Sequence, residues 1–148
     1  MSPLNKLVNH STWANGEWIE YAARAFAGDE FVLVRLRHIL LGERAWFDRI
    51  SGEMVERHVW RTMMLPVLRE LNRKHAVRYE RLLESDLSRV IAYRRFTGEE
   101  YQSPVSDILL HLTLHGAHHR GQIATYVSSQ GKPPINTDFI QYCLAHGC

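Results

Sequence analysis

The sequence predicts an all-α protein: an antiparallel four-helix bundle with a short C-terminal helix and room for a small hairpin before helix four. Three observations carry this. Apolar residues recur at the helical period along most of the chain. Short breaks built on Gly, Ser and Pro divide it into four long segments and one short one. No repeat and no Gly/Ser/Pro-rich linker marks a second unit, so residues 1–148 read as one domain. Amphipathic helices joined by short connections bury their apolar stripes most simply against one another.

Leu4, Leu7, Ser11, Ala14, Trp18, Ala22 and Ala25 trace one face of helix one, with Gly28 as its stop. Asp29 can cap helix two, and Glu30 suits the positive end of its dipole. Phe31, Val34, His38, Leu41, Gly42 and Ala45 form a face of helix two that runs toward Ile50, and Ser51-Gly52 ends it. Residues 53–64 are less periodic and read as a connection. Pro66 fits a first helical turn, and Leu68, Leu71, His75, Tyr79 and Leu82 carry helix three to about Ser85. Val90-Ile91-Ala92-Tyr93 reads as extended, Thr97-Gly98 as a turn, and Tyr101-Gln102 as the returning arm of a hairpin. Ser103 as N-cap with Pro104 at the first helical position starts helix four, which runs to about Ser129 and stops at Gly131. Pro133-Pro134 prevents continuation, and Thr137 can cap a last helix from Asp138 to about Ala145.

The composition excludes several function classes. Lys and Arg number 18 against 16 acids, a net charge of +2, too balanced for a dedicated nucleic-acid binder. On helix three, Arg69, Arg73, Lys74, Arg78 and Arg81 are interrupted by Glu70, Glu80 and Glu84, the pattern of a solvated face. No apolar run approaches the ~20 residues of a membrane span, and residues 1–10 lack the pattern of a secretory signal. The expected compartment is the cytoplasm, with no membrane and no nucleic-acid partner. Cys143 and Cys148 lie outside any CxxC pattern and read as free thiols. Neither a Gly-rich phosphate loop nor a nucleophile elbow is present.

The bias lies in histidine: of nine, four fall between His111 and His119 on helix four. At about 100° per residue, His115 and His119 stand about 40° apart, close enough to grip one ion. Neutral imidazole is the commonest transition-metal ligand. His38, flanked by the apolar residues of helix two, is the candidate third ligand, and it is expected to point into the bundle. Ile108, Leu112, His115, His119, Gln122 and Tyr126 share a stripe of helix four expected to face it. Three nitrogens leave a coordination position open, as in catalytic metal sites. His111 with His115 has the same spacing one turn earlier, and His75, on the apolar face of helix three, is either a fourth ligand or a hydrogen-bonded core residue. His118 is expected at the rim. His10, His58 and His146 read as surface or packing residues.

The run His115-Gly116-Ala117-His118-His119-Arg120-Gly121-Gln122-Ile123 resembles the H-x-x-x-H-R-G-Q signature of the DinB-like (DinB/YfiT) metal-binding superfamily. Trp13-Ala14-Asn15, His38-Ile39-Leu40 followed by Trp46, and Gly131-Lys132-Pro133-Pro134 followed by Asp138-Phe139 resemble other segments of that family, in order. The resemblance implies an antiparallel four-helix bundle with a divalent ion on His38, His115 and His119. Such ligands suit zinc or nickel first, with iron or manganese after them. It also implies a homodimer formed through bundle helices; Leu110, Leu114 and Ala117 could serve that contact or pack on a neighbouring helix. Characterised relatives include transferases and isomerases that use low-molecular-weight thiols. One transferase-like branch replaces a ligand histidine with a carboxylate, and this chain keeps all three.

Two function classes follow. In the first, the protein is a metal-dependent enzyme, a hydrolase or a low-molecular-weight thiol S-transferase, acting on a small molecule. Glu17 and Glu43 are its candidate acid/base residues, and Arg120 could hold an anionic substrate or pair with a bundle carboxylate. Tyr126, Trp13, Trp18 and Trp46 are candidates to line its cavity. In the second, the protein is a non-catalytic metal-binding or stress-associated bundle. The classes divide on whether His75 or His111 closes the fourth coordination position.

Overall fold

The structure is a computed structural model that describes residues 1–55, 63–95 and 97–148. Among these the chain is mostly helical: α1 (Pro3–Ala25), α2 (Glu30–Ser51), α3 (Leu65–Leu83), β1 (Val90–Arg94), β2 (Glu100–Pro104), α4 (Val105–Ser129) and α5 (Phe139–His146). His58 and most of the connection before α3 lie outside the described residues.

Much of the punctuation acts as its chemistry dictates. The Asp29 carboxylate accepts from the Val32 N–H at 3.0 Å and caps α2. Gly52, at φ 74°, ends α2 in the left-handed conformation that glycine adopts without strain. The hairpin pairs Tyr93 with Tyr101 and Ala92 with Gln102 in antiparallel register.

Three boundaries differ from the sequence expectation. α1 ends at Ala25 rather than Gly28: Phe26 makes a last helical bond to the Ala22 carbonyl, but its own backbone, at φ −142° and ψ 34°, leaves the helical conformation. Ser103 does not cap α4. It lies in β2, opposite Ile91, with its hydroxyl 3.1 Å from the Tyr93 hydroxyl. The first α4 donors, on Val105 and Ser106, are satisfied instead by the Arg89 and Leu87 carbonyls of the loop after α3. Likewise Thr137 does not cap α5: its hydroxyl accepts from the Trp18 indole at 3.1 Å. In both cases a long-range partner outcompetes the local cap.

The interior is layered. One apolar cluster gathers Trp18 and Ala22 of α1, Leu36 and Leu40 of α2, Leu68 of α3 and Ile123 of α4. The other gathers Val8, Phe47, Tyr79, Ile108 and Leu112 from the same four helices. The first holds the C-terminal halves of α1 and α4 and the N-terminal halves of α2 and α3; α1 and α4 therefore run opposite to α2 and α3. Between the clusters, each helix contributes buried polar residues: Ser11 and Asn15, Glu43, Asn72 and His75, and Arg120.

Helix two departs from its expected face. Its buried arc is wide, running through Val32, Leu33, Leu36, Arg37, Ile39, Leu40, Glu43 and Phe47, because α2 packs on α1, α3 and α4 at once. Val34 is exposed, and His38 stands at the edge of the interface with α4 rather than inside the molecule.

Candidate metal centre

The site is built where α2 meets α4. His38 projects from α2, while His115 and His119 stack one turn apart on α4. Gly42, one turn beyond His38, lets α4 come close: a Cβ there would stand 3.2 Å from Cε1 of His115. The His38 and His115 Nε2 atoms face each other at 3.0 Å. The His119 ring centroid lies 4.4 Å from that of His38 and 4.6 Å from that of His115. One ligand atom from each of the three lies within 4.8 Å of the other two. Two nitrogens on one tetrahedral ion, bonded at about 2.0–2.1 Å, stand about 3.3 Å apart, so the spacing fits.

The protonation states fit as well. Gln122 orients His119: its Oε1 accepts from Nδ1–H at 2.8 Å, which leaves the Nε2 lone pair free. The Gln122 amide in turn reaches Nε2 of His118, at 3.2 Å. Burial, and then the neighbouring imidazoles, push the His115 pKa down to about 4. His38 is lowered by burial first and by His119 second. Both rings are therefore neutral near pH 7, the form that binds metal.

Among the described residues no fourth His, Cys, Asp or Glu joins this group. His75 is buried on α3, where its Nδ1–H donates to Glu43 at 2.7 Å, so it is a core histidine. His111 packs between Trp46 and His115, with ring centroids at 5.8 Å and 5.7 Å, and remains outside the triad. It also lines a cavity of about 390 Å³ with Trp46, Arg49, Tyr93, Ser103 and Asp107. That cavity is lined by none of the triad and adjoins it only through His111, one turn before His115; His38 is exposed, and His115 and His119 are half-buried.

The expected acid/base residues do not reach the triad. Glu43 turns inward, accepting from His75 and from the Asn15 amide at 3.1 Å. Glu17 lies in a cleft between α1 and α3 with Asn72 and Ala76. Trp13 packs against Tyr142 and His146 of α5, and Trp18 is core. Tyr126 donates to Asp29 at 2.7 Å and stacks on Phe31, so its hydroxyl serves the α2 cap. Leu110 and Leu114 are exposed rather than packed on a neighbouring helix of the same chain. Four of the basic residues of α3 are paired: Arg69 with Glu20, Arg73 and Lys74 with Glu70, Arg78 with Asp48.

Arg120 has a role that spacing did not reveal. Only 4% exposed, it folds back over Gly116 and donates through Nη1 to Asn15 Oδ1 at 2.7 Å and Ser11 Oγ at 3.3 Å. Asn15 passes the connection to Glu43, and Glu43 to His75. Burial lowers the Arg120 pKa to about 10 while Glu43 opposes the shift, so the guanidinium keeps its charge at neutral pH. The chain of bonds ties all four long helices together at the level of the triad. The glycine between His115 and the rest of the motif was the available signal, since it opens room for a side chain lying back along α4.

The family model described as the DinB family matches residues 1–145. No curated protein matches the chain.

Proposed function

Because the chain belongs to the DinB family, we propose that it binds one divalent metal ion on His38, His115 and His119 and is a metal-dependent enzyme of the hydrolase or low-molecular-weight thiol S-transferase kind. The observation that carries this reading is the convergence of three imidazoles where α2 meets α4, with no fourth protein ligand among the described residues. Zinc or nickel suits the donor set first, iron or manganese after them. A bound ion would supply Lewis acidity, giving a water or thiol nucleophile near neutral pH.

The residues of the chain have separate tasks in this reading. Gln122 holds His119 in its ligating tautomer. Gly42 admits the His115 ring. Trp46, Tyr93 and His111 line a pocket that meets α4 one turn before His115, read as the berth of a small-molecule substrate. The four long helices are read as the family's bundle. Exposed Leu110 and Leu114 on α4 support a homodimer, which light scattering in solution would test.

The test is elemental analysis of untagged protein together with His38→Ala and His115→Ala. About one ion per chain, absent from both variants, is the expected result and opens substrate screening. Protein that takes up neither zinc nor nickel when offered them refutes the site. Stoichiometric metal with no turnover in thiol-transfer and hydrolase panels refutes the enzyme and leaves a non-catalytic metal-binding protein.

A further inference from the structure

The other pair of metal- and redox-competent side chains lies at the far end of the sequence. α5 ends at Gly147, whose φ of 70° turns the chain back on the helix. The N–H groups of Gly147 and Cys148 both reach the Cys143 carbonyl, at 2.9 Å and 3.3 Å. The bond from Cys148 is the six-residue closure of a Schellman-type cap, in which the side chains at its two ends meet. Here both ends are cysteines, brought together by the Cys148 N–H bond to the Cys143 carbonyl. A disulfide needs Cα atoms about 4.4–6.8 Å apart, and a six-residue turn closed by a backbone bond brings its ends into that range. Cys148 is exposed and Cys143 half-buried, so an incoming reagent meets Cys148 first.

We propose that Cys143 and Cys148 are a reversible redox site, closed to an internal disulfide by low-molecular-weight disulfides. The Cys148 thiolate attacks one sulfur of the reagent; an S–S bond forms, the reagent's S–S bond breaks, and one thiolate leaves and is protonated. The Cys143 thiolate then attacks the Cys148 sulfur and expels the second thiolate, which is likewise protonated. Two cysteine thiols are oxidised, and one external disulfide is reduced to two thiols. Contact with Cys148 raises the Cys143 pKa; capping Cys148 removes that push, while Lys6 continues to favour the Cys143 thiolate. The product is a small ring across the end of α5, beside the Trp13–Tyr142–His146 packing that seats this helix on α1.

The test uses the full folded chain and oxidised glutathione as probe, read by intact mass and peptide mapping without reductant. The expected product has lost two hydrogens, contains a Cys143–Cys148 linked peptide, resists alkylation and reopens with excess reduced glutathione. Cys143→Ser should stop at one glutathione bound to Cys148. Gly147→Ala, which strains the turn, should slow ring closure several-fold without slowing alkylation of Cys148. A stable glutathione adduct on the wild type, a disulfide between two chains, or closure in Gly147→Ala as fast as in the wild type would overturn the proposal.

Discussion

Gly116 and Gly121 lie on the same helix, yet replacing each with alanine should move stability in opposite directions. Alanine is favoured over glycine in a helix by about 1 kcal/mol, and both positions gain this term. At Gly121 an added Cβ meets nothing within 4 Å, so the gain stands alone. At Gly116 it would lie 2.8 Å from Nη1 of Arg120 and 3.3 Å from Oγ of Ser11. The guanidinium must retreat, and it cannot do so without stretching its 2.7 Å bond to Asn15 in a buried setting. Losing a charge-assisted hydrogen bond costs about 1.5–3 kcal/mol, which leaves Gly116→Ala about 0.5–2 kcal/mol less stable than the wild type. At this chain length 1 kcal/mol moves the thermal midpoint by about 2–4 °C, so Gly121→Ala should unfold a few degrees higher and Gly116→Ala lower. The assay is thermal unfolding followed by far-UV circular dichroism on metal-stripped protein, which removes any contribution from ligand binding. If both variants shift upward equally, Arg120 relaxes at no cost and the reasoning about its buried bonds is wrong.

Two more outcomes follow from the same geometry. Gln122→Ala removes the acceptor that fixes His119, so metal affinity should fall about 10–100-fold with little loss of stability; competition with a chromophoric chelator measures this, and an unchanged affinity would dismiss the orienting role. His10 donates to the Thr137 carbonyl at 2.7 Å, and burial lowers its pKa below 6.5. The folded state therefore binds the proton less readily than the unfolded chain: the stabilising contribution is complete above about pH 6.5 and is lost as the pH falls through the depressed folded value. Urea midpoints between pH 7 and 5 should fall more steeply for the wild type than for His10→Asn, and parallel slopes would contradict the assignment.

How far the chain could be read in advance depended on whether a residue's partner was local. The Asp29 cap, the Gly52 and Gly131 stops, Pro66 and the hairpin turn at Gly98 involve neighbours in sequence, and each sits where local chemistry places it. The pairing of His115 with His119 is equally local. Ser103 and Thr137 have the side chains of caps, but Tyr93 and Trp18 engage them from elsewhere. On α2 the apolar wheel misplaced His38, because Arg37, Glu43 and Asp48 are buried with the aliphatic residues and widen the arc beyond a single stripe. Arg37 is accommodated there by the Met63 carbonyl and Glu30, partners a wheel does not display. The inward-facing Glu43 escaped for the same reason: its choice between the triad and His75 is made by α3.

The polar layer through Arg120, Asn15, Glu43 and His75 has a consequence for how the protein would live with and without its ion. Apolar contacts tolerate sliding, whereas this series of bonds is satisfied in one register, and it involves none of the three ligand histidines. The imidazoles are consequently assembled by the protein's own folding. Unlike a zinc finger, a chain held this way would be expected to fold without metal. Occupancy then adds only the mass-action increment set by free-ion concentration relative to the dissociation constant. Under the proposed function, with His38, His115 and His119 at the rim of α2 and α4, one ion would exchange for another while the helices stay packed, and metal supply would select the occupant.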